Sequence, residues 1–226
     1  PVNAKEIILQ LAKDKLAEFE SIPTHWHYWW PRFERMVDWF IETEAGWRMD
    51  ATPWLQEETG RLEIFKNTNT NRSVTITAKA DRIDKLKTGN GEAAILDYKT
   101  GSPPANYKIK NGTAPQLPIE SLILTRSGYK NTTLSPASMI YWKLSGSHAN
   151  IGEVKSIKLD MAEVVSATEQ GLENLVTLYE NPTTPYVARI RAGKMYDDER
   201  AYAHLSRMSE WSSGEREDIN ENGEQE

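Results

Sequence analysis

Apolar positions follow two different periods along this chain. From Asn3, with Glu6 at capping-box spacing, Ile8, Leu11, Ala12, Leu16 and Phe19 recur every three or four residues and predict a first helix. Ser21 to Thr24 reads as a break. The aromatic run Trp26, Tyr28, Trp29 and Trp30 then leads into Pro31, a good first-turn residue. Phe33, Met36, Val37, Phe40 and Ile41 form the stripe of a second helix, which Gly46 is expected to end. From Pro53 the period becomes two. Leu62 and Ile64 alternate with charges, and Val74, Ile76 and Ala78 alternate with threonines, as strands do. The turn Thr88-Gly89-Asn90-Gly91 predicts a hairpin into a third strand, Ala93 to Thr100. A loop opened by Pro103 and Pro104 precedes a helix from Gln116 to Gly128. Met139 to Leu144 and Glu153 to Leu159 read as two further strands. Asp160 is placed to cap a helix with Glu163 in its first turn, and a last helix is predicted from Asp198 to Trp211. The order predicts an α/β (α+β) domain with a largely central sheet.

Composition narrows the classes. Over 226 residues, 38% hydrophobic and 27% charged, there is length enough for a sizeable core. No apolar run approaches a membrane span, so no membrane partner is expected, and no charged-then-apolar leader marks secretion. The absence of cysteine excludes disulfides, thiolate zinc sites, cysteine nucleophiles and iron–sulfur clusters, and favours a cytoplasmic setting. Pro1 in place of Met reads as a piece excised from a longer polypeptide. The net charge of -6 argues against indiscriminate nucleic-acid coating, but it is concentrated at the end: residues 214–226 hold six acids against Arg216. That polar tail is expected to be disordered. Lys99, Lys108, Lys110, Arg126 and Lys130, against Glu120 alone, make a local basic stretch.

The chemistry concentrates on the hairpin. Asp97 and Lys99 lie two apart on a strand and share a face. If the hairpin is centred on Gly89, Asp81 falls opposite Asp97, with Cβ atoms roughly 5 Å apart. Two carboxylates that close repel, unless one takes a proton or a divalent cation sits between them. Asp84 is the rival of Asp81. The alternation Val74, Ile76, Ala78, Ala80 puts Asp81 on the opposite face with Lys79, and a bulge would change that.

Asp81-Arg82-Ile83-Asp84, then Leu96-Asp97-Tyr98-Lys99-Thr100-Gly101, then Gln116-Leu117-Pro118-Ile119-Glu120 resemble the PD-(D/E)xK nuclease superfamily. Within it they are most similar to the RecB-type branch and the C-terminal nuclease domains of AddB-type helicase–nucleases. The resemblance implies a restriction-endonuclease-like mixed sheet flanked by helices. It implies an N-terminal helical segment at 1–50, a nuclease core at 51–212 and the tail at 213–226. Asp81 and Asp97, with the main-chain carbonyl of Tyr98, would bind Mg²⁺ or Mn²⁺. Lys99 would activate water and meet the scissile phosphate, and Gln116 would orient it. The implied activity is exonuclease cleavage of single-stranded DNA in double-strand break repair and recombination. The implied partners are DNA, an AddA-like subunit and the rest of a longer chain.

The sequence departs from that pattern in one place. RecB-type nucleases place a metal-binding His on an upstream helix, whereas His25 and His27 sit in the tryptophan-rich connection. Either the family His precedes Pro1, or Glu42 or Glu44 takes its place. Without the resemblance, Asp opposite Asp-x-Lys is usually a solvated face with an ion pair. Arg82 is either a phosphate contact or the partner of a nearby carboxylate. Lys108 and Lys110 either grip a DNA backbone or line a solvated loop. The tryptophans either stack on bases or pack a core. An inactive, nuclease-like DNA-binding or scaffolding domain is the alternative function. A carboxylate-pair sugar hydrolase is a third, and Lys99 suits it poorly.

Overall fold

The computed structural model describes residues 3–20, 23–67 and 72–186, with the main chain alone at 19–20 and 23–25. The helix predicted at 198–211 and the acidic tail lie outside the described residues. Three helices lead: α1 (Ala4–Lys15), α2 (Ala17–Glu20) and α3 (Pro23–Asp50). Asn3 stands at the start of α1 without a side-chain cap bond, so the expected capping box is not formed. The second helix is longer than its apolar stripe predicts. It begins at Pro23, before the aromatic run, and continues past Gly46 to Asp50. Pro31 removes one hydrogen-bond donor from its interior. Contacts across that turn compensate: Trp26 stacks on Trp30 with ring centroids 4.6 Å apart, and Trp30 Nε1 donates to Glu34 Oε1 at 2.8 Å. Beyond Gly46, the last turn is held from outside by Trp47, whose indole N–H reaches the sheet.

Five strands form one sheet in chain order: β1 (Ala51–Asn67), β2 (Arg72–Leu86), β3 (Glu92–Lys99), β4 (Ser135–Leu144) and β5 (Gly152–Ser156). β1, β2 and β3 are antiparallel neighbours, β3 and β4 are parallel, and β5 is antiparallel to β4. A parallel pair needs a crossover. It is made here by α4 (Asn106–Lys110), a short helix inside the expected loop, and by α5 (Gln116–Thr125). α6 (Met161–Glu180) follows β5, and Asp160 Oδ1 accepts the Glu163 N–H at 2.9 Å, as the capping pattern predicts. The chain divides into a compact unit at Pro1–Leu178 and a second at Tyr179–Glu226.

Within the first unit, the two faces of the sheet carry separate cores. Ala93 and Ile95 on β3 and Ile83 on β2 pack with Leu117, Ile123, Leu124 and Tyr129, on the α5 side. Ala94 and Leu96 pack with Ile140 and Trp142 against Trp39, Phe40 and Trp47 of α3. Alternation along β3 therefore sends even positions to α3 and odd positions to α5. Trp142, fully buried, meets Trp39, Phe40, Trp47 and Tyr98 edge-on at centroid distances of 5.8–6.5 Å. Each such aromatic pair contributes about 0.5–1.5 kcal/mol beyond its burial. The tryptophans at 39, 47 and 142 are core, whereas Trp29 is 56% exposed. The described residues contain no helix long and apolar enough to cross a membrane.

Candidate active site

The β2–β3 ladder runs Lys85–Ala93, Asp84–Ala94, Ile83–Ile95 and Arg82–Leu96. The next step in that register brings Asp81 opposite Asp97, as the hairpin centred on Gly89 predicts. Main-chain pairing stops there. Instead the Asp81 carboxylate reaches across, and its Oδ2 accepts the Tyr98 N–H at 3.0 Å.

The alternation along β2 slips at this point. Ala78 and Ala80 belong to the α5-side core, and so does Ile83. Both even and odd positions therefore face α5 on either side of Asp81. Opposite, Gln56 pairs Arg82 and Glu58 pairs Ala80, while Glu57 between them adopts a left-handed φ of 52°. This irregularity cancels the parity argument that turned Asp81 away. Asp84 goes to the other face, fully buried: its Oδ2 accepts from Trp47 Nε1 at 2.6 Å and it is bound by Arg82. Of the two acids, Asp81 is the one at the register position opposite Asp97, and Asp84 is held by Trp47 and Arg82.

Asp97, 1% exposed, is the hub of the α5-side cluster. Lys99 Nζ lies 3.0 Å from its Oδ1 and 2.8 Å from its Oδ2. Gln116, the first residue of α5, donates from Nε2 to Asp97 Oδ1 at 2.6 Å and accepts from Lys99 Nζ at 3.1 Å. Burial pushes the Asp97 carboxyl above its usual range, and the nearby Asp81 charge adds to this. The hydrogen bonds and charge of Lys99 oppose it without cancelling it. Asp97, Lys99 and Gln116 thus form one hydrogen-bonded cluster, and the Asp81 charge acts on Asp97 without a side-chain hydrogen bond to it.

Glu120 joins it, a residue that reading the motif did not single out. It lies one turn beyond Gln116 on α5, is 1% exposed, and accepts from Gln116 Nε2 at 3.3 Å. Its Oε2 is buried without a hydrogen-bond partner. Burial pushes its pKa up to about 8; the Gln116 hydrogen bond is the largest effect opposing this, and the charges of Asp97 and Asp81 add to the rise. The signal available in sequence was the i, i+4 spacing of Gln116 and Glu120 within an otherwise apolar helix.

Arg82 is not a surface contact. It is 4% exposed, on the α3 side of the sheet, and wholly engaged. It binds Asp84 Oδ2 at 2.6 Å, Glu44 Oε2 at 2.6 Å and the Tyr98 hydroxyl at 3.2 Å, and lies over the Trp142 ring at 5.6 Å. The reading of Arg82 as a DNA contact gives way to its role as partner of buried carboxylates. Glu44 is consumed by the same network. Burial works against its charge, but hydrogen bonds from Arg82 and Arg48 prevail and hold its pKa below the usual range. Glu42 and His27 are exposed on α3, and the His25 side chain lies outside the described residues. Lys110 is exposed in α4, 3.7 Å from Glu163, and Lys108 is half-buried nearby.

Among the described residues no three His, Asp or Glu side chains are grouped to hold a metal ion. The donor set nevertheless fits Mg²⁺, which takes hard oxygen ligands from one or two carboxylates and keeps several waters. Asp97 Oδ2 is buried with no hydrogen bond, in contact with the Lys99 ammonium, and one Asp81 oxygen is pre-oriented by main chain.

The mixed sheet between helices, with its acid pair and lysine at the parting of two central strands, is of the restriction-endonuclease-like type. A family model for the PD-(D/E)XK nuclease superfamily matches residues 3–201, nearly the whole chain, and the chain belongs to that superfamily. Segments of it are similar to uncharacterized proteins of Rickettsia. One from Rickettsia felis is 36% identical over 89 residues, 38% of this chain and 10% of that protein. One from Rickettsia bellii is 34% identical over 102 residues, 45% of this chain and 12% of that protein. The matched segments thus span about a tenth of those relatives. A solved structure described as "Crystal structure of SSO0001" shares 18% identity at a TM-score of 0.30, over 53% of this chain and 50% of that one.

Proposed function

We propose that this chain hydrolyses phosphodiester bonds of DNA with a divalent metal, as an exonuclease acting on single-stranded DNA. We place it in an AddB-like helicase–nuclease of double-strand break repair, alongside an AddA-like subunit. The observation that carries the chemistry is the convergence of Lys99 and Gln116 on the buried Asp97 carboxylate, with Asp81 at the next position across the ladder. Asp81, Asp97 and the Tyr98 carbonyl would hold Mg²⁺, with Mn²⁺ as a substitute. That ion supplies Lewis acidity at the phosphoryl oxygen and a lowered pKa for water. The chain's own groups do the rest. Lys99, one-third exposed, is the single cation of the cluster and is free to turn from Asp97 to a phosphate oxygen. There it stabilises charge that develops during in-line attack. Gln116 limits where that ammonium can go.

The test is cleavage of end-labelled single-stranded DNA with and without Mg²⁺. Asp97→Ala and Lys99→Ala are each expected to lower the rate about 10²-fold or more while leaving the fold intact. Wild-type rates in either variant would refute the assignment. A second reading, a nuclease-like DNA-binding domain without activity, is favoured by the exposed His27 and the engaged Glu44. It predicts DNA binding with no metal-dependent cleavage by the wild type.

A further inference from the structure

On the α5 side, the mechanism above leaves the buried Glu120 carboxyl unused. Glu120 is 1% exposed on α5, whose other buried residues include Leu117, Leu122, Ile123 and Leu124. A carboxyl there loses its hydration and leaves Oε2 without a hydrogen bond, a penalty on the order of 1–3 kcal/mol. Stability does not explain its presence.

Among the described residues its hydrogen bond is to Gln116, and that bond has a definite sense. The Gln116 amide has two N–H donors and one carbonyl. The carbonyl accepts from Lys99, and the nitrogen serves Asp97 and Glu120. A flipped amide would set its N–H groups against the Lys99 ammonium and its oxygen against the Asp97 carboxylate. We propose that Glu120 is a positioning residue that anchors the Gln116 amide, and through it keeps the Lys99 ammonium in register with the reacting phosphate. This rests on the nuclease reading of the site. During turnover Asp97 and Lys99 take other partners, which releases two of the three anchors. Glu120, one helical turn deeper and sealed from solvent, keeps the third.

The test compares wild type with Glu120→Met, close in shape but without an acceptor, and Glu120→Gln, which keeps a carbonyl for the amide. Three quantities are read: the Gln116 side-chain amide pair in ¹⁵N-correlated spectra (assigned with Gln116→Ala), Mn²⁺ affinity by calorimetry, and kcat and KM on single-stranded DNA. In Glu120→Met, one Gln116 amide proton is expected to move towards the position of a free glutamine. kcat is expected to fall about 10-fold or more with KM and Mn²⁺ affinity little changed. Glu120→Gln is expected to restore most of both losses. An unmoved Gln116 amide pair overturns the proposal, and so does an unchanged kcat in Glu120→Met. Lost Mn²⁺ affinity overturns it too, because Glu120 would then be a ligand. If the wild type does not cleave DNA, the nuclease reading fails on its own, and the amide spectrum still decides whether Glu120 is the anchor. Should Glu120→Met not fold, Glu120→Ala is read in the same way.

Discussion

Glu120 and Asp97 are each 1% exposed, and burial makes both hold protons more tightly than usual. For Glu120 the pKa rises from 4.5 to about 8 on folding. Between those values the folded chain binds a proton that the unfolded chain has lost. Its contribution to stability is therefore complete below 4.5 and declines as pH rises through 8. Urea unfolding in the absence of divalent ions should give a lower free energy at high than at low pH in that window, by on the order of 2–4 kcal/mol. Glu120→Gln should flatten the slope, and a slope unchanged by the substitution would remove Glu120 as its source. At this scale the sequence was legible where the chemistry is local. Asp97, Lys99 and Gln116 stand together as their motif implies. The choice between Asp81 and Asp84 was not settled by alternation, because the slip beside Glu57 depends on both strands. Of the two readings of Arg82, the carboxylate partner is the one found: Asp84 was in view along the chain, whereas Glu44 is brought to it by α3.

Between elements, the Arg82 network joins α3 to β2 beside Asp81 and, through the Tyr98 hydroxyl, to β3 beside Asp97. Removing the guanidinium would leave the buried Asp84 without a cation and Glu44 with Arg48 alone, at a cost of about 3–5 kcal/mol. Arg82→Met should therefore lower the denaturation midpoint strongly, whereas Glu44→Gln, which keeps a hydrogen-bond acceptor, should cost less. Equal losses would argue against the ionic brace. On the opposite face, β1 comes close to α5 at Gly60. A Cβ there would sit 2.5 Å from Tyr129 Cε1 and 2.6 Å from Ile123 Cγ2. Gly60→Ala should cost about 1–3 kcal/mol by overpacking, read from the same unfolding curves. The elements with clean periods, such as the third strand and the helix after Gln116, were legible from the chain alone. α3 was not, because Pro31 and Gly46 signal breaks that ring stacking and tertiary contacts override.

The whole sheet separates two polar clusters. Acids and an ammonium with some solvent access lie towards α5, and a sealed guanidinium cluster lies towards α3. Lys108 and Lys110, which the proposed function would set against a DNA backbone, lie on the crossover after β3, in α4. Lys108→Ala and Lys110→Ala should each weaken DNA binding similarly for all sequences. Each should also reduce the slope of log affinity against log salt by about 1, measured by fluorescence anisotropy. A slope that does not change would show that the lysine is a bystander.

The Tyr98 N–H points at the Asp81 side chain, at the place where β2 and β3 part like the tines of a fork. This gives the molecule a built-in reporter. Deuterium uptake at that single amide tracks whether the carboxylate remains in the cleft, and Leu96, one rung back in the ladder, serves as its internal clock. Replacing Asp81 with alanine should speed the first and leave the second slow. Any cation or oligonucleotide that pulls the acid away from the amide should leave the same trace.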